Sequence, residues 1–450
     1  MSQTIWPPAP TGGPPQSTVL PGLPGPGGTA PASGTLGHRL ASASATIRHY
    51  LAGSPGRLRI VSAVAVLAAV VVALGGGAAL RERSGALDVA KSSAAHLVLV
   101  QSVQIKLAEA DADATNSFLK FGLEPEDQRL DYIAAIQAAS RDLTVAANGS
   151  SEDAKTLGDA NAALTRYTGY IGSARANNRL GKPVGANYLT TASELLRADV
   201  IKPLEARAAA DQTKIDDAYS RAEHASRWLA LVALIGLGVL IWAQVYLAQH
   251  SRRIVNVPLA AASVGLLVAL MVAAGAMALA QSKANGVRDG SLANATALSN
   301  SRVAAFTAKS TESLTLIARG SATEKDETWA GFMTQALKLP SGNDAAKKAL
   351  QDYGELHRAI NATDVKGEWD KAVASAVNPG TPEKPTANTR FAVYADLTEK
   401  ALTSQATEAT DDLGAAGNSL LPAGILVVLA GLLAAIGAWW GISLRLDEYR

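Results

Sequence analysis

The chain has 450 residues, of which 48% are hydrophobic, 5% aromatic and 18% charged, with a formal net charge of +2 and no cysteine. Without cysteine there can be no structural disulfide, zinc–thiolate centre or cysteine nucleophile. A nearly balanced and dispersed charge gives no footing for nucleic acid.

Residues 1–45 are dense in Pro, Gly, Ser and Thr, as in "WPPAPTGGPPQSTVLPGLPGPGG". Such a stretch cannot bury enough apolar surface to offset chain entropy, so a disordered tail is expected. It could serve as a docking or phosphorylation segment, with Thr4, Thr11, Thr18, Thr29 and Thr35 as acceptors, or as a passive tail.

Four apolar runs follow, at 58–80, 228–248, 258–281 and 421–444. Each holds about 20 residues without a charge, which as a helix gives ~30 Å, the thickness of a hydrocarbon core. Four buried helices of a soluble protein would rarely run so long without a charge. The first run is preceded by far more chain than a cleaved signal peptide carries, so a retained signal anchor is expected. Trp228, Trp242, Trp439 and Trp440 lie near span ends, where amphipathic rings anchor at the lipid interface.

Arg39, Arg48 and Arg57 precede the first run, and Arg59 lies at its very start. Arg252 and Arg253 lie in "QHSRRIVNVP" between the second and third, and Arg445 and Arg450 follow the fourth. The positive-inside bias places these segments, including the loop 249–257 and the tail 445–450, in the cytoplasm. Arg81, Arg83 and Arg227 fall on the opposite side and weaken the bias. The blocks 82–226 and 282–419 are then extracytoplasmic, on a multi-pass plasma-membrane protein with both termini inside.

In the first block Leu87, Ala90, Ala94, Leu97, Val100, Val103, Leu107, Ala110, Ala114, Phe118 and Phe121 recur every three or four residues. That is one sustained helix face, rising directly from the first span. Leu204, Ala208, Ile215, Ala218, Ala222 and Ala225 repeat the pattern into the second span, with Asp211 breaking the stripe and Pro203 marking a kink or restart. Glu124–Asp127 starts a helix, "NGSSED" (148–153) is a turn with a new N-cap, and "LGKPVGA" (180–186) is a clear break.

The second block repeats this plan. "TNSFLKF" (115–121) lines up with "TESLTLI" (311–317), each followed by an acidic helix start, which points to an internal duplication in parallel orientation. Pro340, Gly354 and "NPGTPEKPT" (378–386) interrupt the second copy, and Trp329 and Trp369 add core bulk there or line a ligand pocket. The expected fold is an all-α membrane protein: four transmembrane helices with two extracytoplasmic four-helix-bundle domains in tandem.

Catalytic chemistry is sparse. His38, His49, His96, His224, His250 and His357 show no metal-ligand spacing, and no P-loop or nucleophile elbow occurs. No catalytic, cofactor-binding or metal-binding residue is assigned, no cofactor is expected, and the chain reads as no enzyme. Apart from Arg59 at the start of the first, the spans lack Asp, Glu, Lys, Arg and His, which argues against ion or solute transport. "GGG" (75–77) lies inside a span and serves packing. Gly437 and Gly441 form a GxxxG pair, suited either to a homodimer or to packing within one four-span bundle. No cytoplasmic segment is large enough to be an output domain, so an inward signal must pass to a separate protein. Arg252, Arg253 and Arg445 are the candidate relay or topology residues.

The span–bundle–span plan, the Pro-rich tail and "GKPVGANYLTTASELLRADVIKPLEA" (181–206) resemble GlnX-type actinobacterial membrane proteins. The resemblance implies an extracytoplasmic amino-acid-binding lipoprotein as outer partner and a soluble serine/threonine kinase, protein kinase G, as inner partner. The expected role is then a transmembrane signalling receptor for amino-acid sensing, with membrane lipid around it and no nucleic-acid partner. Direct small-molecule sensing and an envelope scaffold are the alternatives. The resemblance brings no catalytic motif.

Overall fold

The computed structural model describes residues 54–120, 126–148, 151–250, 256–319, 322–381 and 383–447. The tail 1–45 with its threonines, Arg39, Arg48, Phe121, Arg252, Arg253 and Arg450 lie outside these residues. Arg445 falls on the backbone of the last helix. Residues 1–60 and 61–450 are separate compact units, and the smaller is described only as a helix beginning at Ser54.

The described residues contain no strand. They form α1 (Ser54–Phe118), α2 (Glu126–Ala147), α3 (Ser151–Arg179) and α4 (Val184–Leu195), which passes through a π-helical turn, Leu196–Ile201, into α5 (Lys202–His250). Next come α6 (Val257–Gly286), a second π turn, Val287–Ser291, and α7 (Leu292–Ala318). The chain ends with α8 (Ala322–Ala336), α9 (Asp344–Val365), α10 (Trp369–Val377), α11 (Ala387–Asn418) and α12 (Leu420–Asp447).

Four rods of 63, 66, 62 and 58 residues each contain a stretch long and apolar enough to cross a membrane. Such rods extend ~90–100 Å, about three times the hydrocarbon thickness, so most of each projects beyond it. Along the spans, large apolar side chains face outward: Leu67 is 64% exposed and Leu234 73%. In water this surface would be heavily penalised; in lipid it is matched. The chain is a multi-pass helical membrane protein. Trp228, Trp242, Trp439 and Trp440 are also exposed, as interface anchors require.

Small residues let the spans approach. A Cβ on Gly236 of α5 would lie 2.0 Å from a Val72 methyl of α1, and one on Gly431 of α12 would lie 2.6 Å from the Ala73 Cβ. The "GGG" run packs in the same way: a Cβ on Gly77 would meet Val428 at 2.4 Å. The GxxxG pair faces α6 of this same chain, with Gly437 against Ala262 and Gly441 against Asn256. Asn256 caps α6 and donates from Nδ2 to the Gly441 carbonyl at 2.7 Å, while Gln244 of α5 donates to Ser263 of α6 at 3.1 Å. Hydrogen bonds of this kind hold helices together where lipid offers no partner.

Beyond the membrane the apolar stripes face inward. Leu87 through Ala114 of the first stripe are all buried and Phe118 is half-buried. Val100, Val103, Leu107, Ala110 and Ala114, with Phe118 against them, form one core with α2, α3, α4 and α5. A second core joins α7 to α11 around Trp329, Tyr353, Phe391 and Tyr394. The two cores meet: Ile105, Ala108 and Ala112 of α1, and Leu119 just after it, belong to the second, and Leu314 of α7 belongs to the first.

Two local expectations needed physical refinement. Pro203 stands at a restart: the π turn ends at Ile201 and the α-helical run of α5 begins at Lys202, with Pro203 its second residue. Proline has no N–H to give and its ring crowds the carbonyl four residues back; a widened turn relieves both. The second block is interrupted as expected around Pro340 and 378–386, but Gly354 sits within α9, under Met333 and Trp329. That block also has a fifth, short helix, α10, between α9 and the capping box of Thr386 and Thr389 that opens α11.

Candidate sensing site

The helices α1 and α7 meet along a polar seam. Asp111, 4% exposed, accepts hydrogen bonds from three hydroxyls: Tyr167 of α3 at 3.3 Å, Ser193 of α4 at 2.7 Å and Ser310 of α7 at 2.6 Å. A buried carboxylate costs free energy unless its lone pairs are filled, and here three donors from three helices fill them. Thr115, Asn116 and Ser117 of α1, and Thr311, Glu312 and Ser313 of α7, are buried close by along the same helices. The first three residues of each of the two stretches that align as copies in the sequence are therefore interior, and polar.

On α7 the buried charges are paired. Glu312 accepts from Lys309 at 2.6 Å and contacts His357 Nδ1 at 2.7 Å, while His357 Nε2 lies 3.1 Å from Asp326. Burial pushes the Glu312 carboxyl up, but Lys309 and the His357 hydrogen bond outweigh it and hold it at about 2. The Trp329 ring stacks on His357 at 3.7 Å. Trp369 donates to the Leu316 carbonyl at 2.7 Å, with Arg319 over its ring at 3.9 Å. Both tryptophans thus serve packing.

Nearer the membrane a second charged knot ties α1 to α5. His96 contacts Asp211 at 2.5 Å through Nδ1 and the Ala146 carbonyl at 3.0 Å through Nε2. Arg207 bridges Asp211 and Asp153, at 2.7 Å from the latter. The Asp211 hydrogen bond raises the His96 pKa against the opposing effect of burial. This is why Asp211 interrupts the apolar stripe: it is the buried partner of Arg207 and His96. At the base, Arg83 donates to the Ala222 carbonyl at 3.1 Å, to Ser226, and to Gln281 at 2.6 Å, knitting α1, α5 and α6 together.

An open cleft of about 640 Å³ lies beside the seam. Gln104 of α1, Arg197 and Ile201 of the first π turn, Lys202 and Glu205 of α5, and Lys338 beyond α8 line it, with α7 as floor. Volumes of this order suit small ligands. No group of three or more metal-ligating side chains comes together among the described residues.

Of the residues singled out by the sequence, Arg445 is in α12, and Arg252 and Arg253 lie outside the described residues. The seam and cleft are built from other residues, which spacing alone did not mark. The signal that could have found them is charge inside an apolar stripe, as Asp211 displays; Asp111 and Glu312 give the same signal once their helix faces are plotted.

A polar, multiply hydrogen-bonded junction on membrane-continuous helices is the build of a sensor-type membrane protein. Residues 86–220, under a third of the chain, match a family model described as an actinobacterial sensor domain. The match covers the outer part of α1 through the outer part of α5, the helices that carry Asp111, His96, Asp211 and Arg197. Neither the curated proteins nor the solved structures gave a match to the chain.

Proposed function

We propose that the protein is a transmembrane signalling receptor rather than an enzyme. The observation that supports this is continuity: three of the four rods, carrying Asp111, Ser193 and Ser310, join their spans to one buried junction without an intervening loop. An input that binds one packing of that junction better than another shifts the rods, and nothing is transmitted without that differential affinity. The π turns at 196–201 and 287–291 are where such rods can change register locally.

Following the resemblance to GlnX-type proteins, the input is a liganded extracytoplasmic amino-acid-binding protein docking on the outer helices. The output is read by a soluble serine/threonine kinase at a cytoplasmic surface that includes Arg252, Arg253 and Arg445. The burial of Thr115–Ser117 and Thr311–Ser313 at one junction supports an origin by internal duplication. Two measurements test the relay: capture of a solute-binding lipoprotein by the full-length protein in nanodiscs, and phosphorylation of kinase substrates in a deletion strain. Capture together with altered phosphorylation is expected; absence of both removes the reading. A second reading, direct sensing of a small molecule, is favoured by the cleft beside Arg197.

A further inference from the structure

We infer that the cleft between α1, the first π turn, α7 and α8 is a binding site for a small soluble anion bearing carboxylate or phosphate groups. The inference deepens the direct-sensing reading and rests on it. Three observations carry it.

The first is charge. Arg197, Lys202 and Lys338 line the cleft against a single carboxylate, Glu205, and none of the three cations makes a salt bridge among the described residues. Elsewhere on these helices cations are spoken for: Arg166 pairs with Asp199 at 3.0 Å, and Arg207 with Asp153 and Asp211. Three cations against one carboxylate leave the concavity with surplus positive charge, and an anion relieves the repulsion among them.

The second is an unmet hydrogen bond. Gln104 is 3% exposed and its amide nitrogen is buried without a partner, although the side chain lines the cleft. A buried donor left empty is costly, and an anionic oxygen is the acceptor that would satisfy it. Asn300, Thr307 and Gln335 on the same walls offer further uncharged polar contacts.

The third is place. Arg197 and Ile201 belong to the π turn within the rod that becomes the second span. An anion held by Arg197 from one wall and Lys338 from another joins that turn to the second core. The site stands ~36 Å along α1 from the end of the first span at Leu80, beyond the reach of lipid headgroups. The anion therefore comes from solution.

The test uses the full chain in nanodiscs and isothermal titration calorimetry with two probes, succinate and inorganic phosphate. Saturable binding of either is expected, and which of the two saturates identifies the oxygen chemistry. Arg197→Ala and Lys338→Ala each weaken that binding roughly tenfold or more, whereas Lys400→Ala, remote from the cleft, does not. Arg197→Ala variants that retain the wild-type melting temperature keep the comparison free of folding effects; if that variant unfolds, Gln335→Ala and Lys202→Ala take its place. No heat from either probe up to roughly 10 mM, or binding indifferent to the cleft substitutions, overturns the inference. Binding without any change in kinase output would leave the anion site standing and remove the relay instead.

Discussion

Ser310 of α7 donates its hydroxyl proton to Asp111 of α1 at 2.6 Å, across 199 residues of sequence. Each residue sits on a helix that runs directly into a span, so this bond couples two membrane-crossing rods. Tyr167 and Ser193 fill the other carboxylate oxygen, and no cation pairs with it among the described residues.

Substituting Asp111 tests that coupling. Asp111→Ala leaves three buried hydroxyls without their acceptor, and a buried unmet polar group costs about 1–3 kcal/mol. Asp111→Asn retains one acceptor oxygen but brings two amide hydrogens that face hydroxyls, so an intermediate loss is expected. Ser310→Ala removes one donor to a charged acceptor and should lose about 1.5–3 kcal/mol. Thermal unfolding in nanodiscs ranks the three; an Ala variant as stable as wild type would show that the seam contributes nothing to holding the helices together.

Two residues further along α1 lies a half-buried acid, Asp113. Burial raises the Asp113 carboxyl to about 7, with Glu109 and Asp131 adding to it. Because the folded pKa exceeds the unfolded value, the folded form binds the proton more tightly. Its contribution is complete below about pH 4 and is lost as pH rises toward 7. Asp113→Asn keeps the neutral form at every pH. It should stabilise the protein at pH 8 by at most about 4 kcal/mol and be neutral at pH 4. Equal melting shifts at both values would contradict this.

Glu312 works in the opposite sense. Its pKa is depressed to about 2, so its contribution is present above the unfolded value near 4.5 and is lost as pH falls through that interval toward 2. Glu312→Gln strands Lys309, 2.6 Å away and almost fully buried, and breaking a buried pair costs about 3–5 kcal/mol. Removing both charges as Lys309→Met with Glu312→Leu should recover much of that loss. A double variant no better than Glu312→Gln would mean that packing around Tyr353, rather than charge balance, sets the stability here.

The spans and the long stripes were legible in the sequence because each depends on one repeated property, apolar residues at helical spacing. Leu87 through Ala114 are buried as that periodicity requires. The joining of the two cores was not legible, because it depends on which faces of α1 and α7 meet; Asp111 and Ser310 carry no local signal of their distant partner. Asp211 shows the limit well. It stood out as an interruption of the stripe, and helical spacing alone puts Arg207 beside it, but only the fold brings His96 and Asp153 to that pair. The π turns follow the same logic: Pro203 marks a disturbance, whereas its form, a widened turn just ahead of the restart at Lys202, depends on how the helices pack. The cleft is assembled from four separate segments, so no spacing within any one of them could have located it.

Packing between α1 and α12 offers the last test, within the membrane itself. A Cβ on Gly431 would lie 2.6 Å from the Ala73 Cβ and 2.8 Å from its Cα, so the obstruction is backbone, which cannot rotate away as a side chain could. Gly236 differs, because its nearest neighbour is a methyl of Val72 that another rotamer can move. Gly431→Val should therefore force the rods apart, with a penalty of about 1–3 kcal/mol or more, while Gly236→Ala costs less. Hydrogen exchange should then rise at the end of α11, just before α12, where Ser84 donates to the Gly417 carbonyl at 3.2 Å. If Gly431→Val left both melting temperature and exchange at Gly417 unchanged, the first and fourth spans would not be in the close contact that their glycines allow.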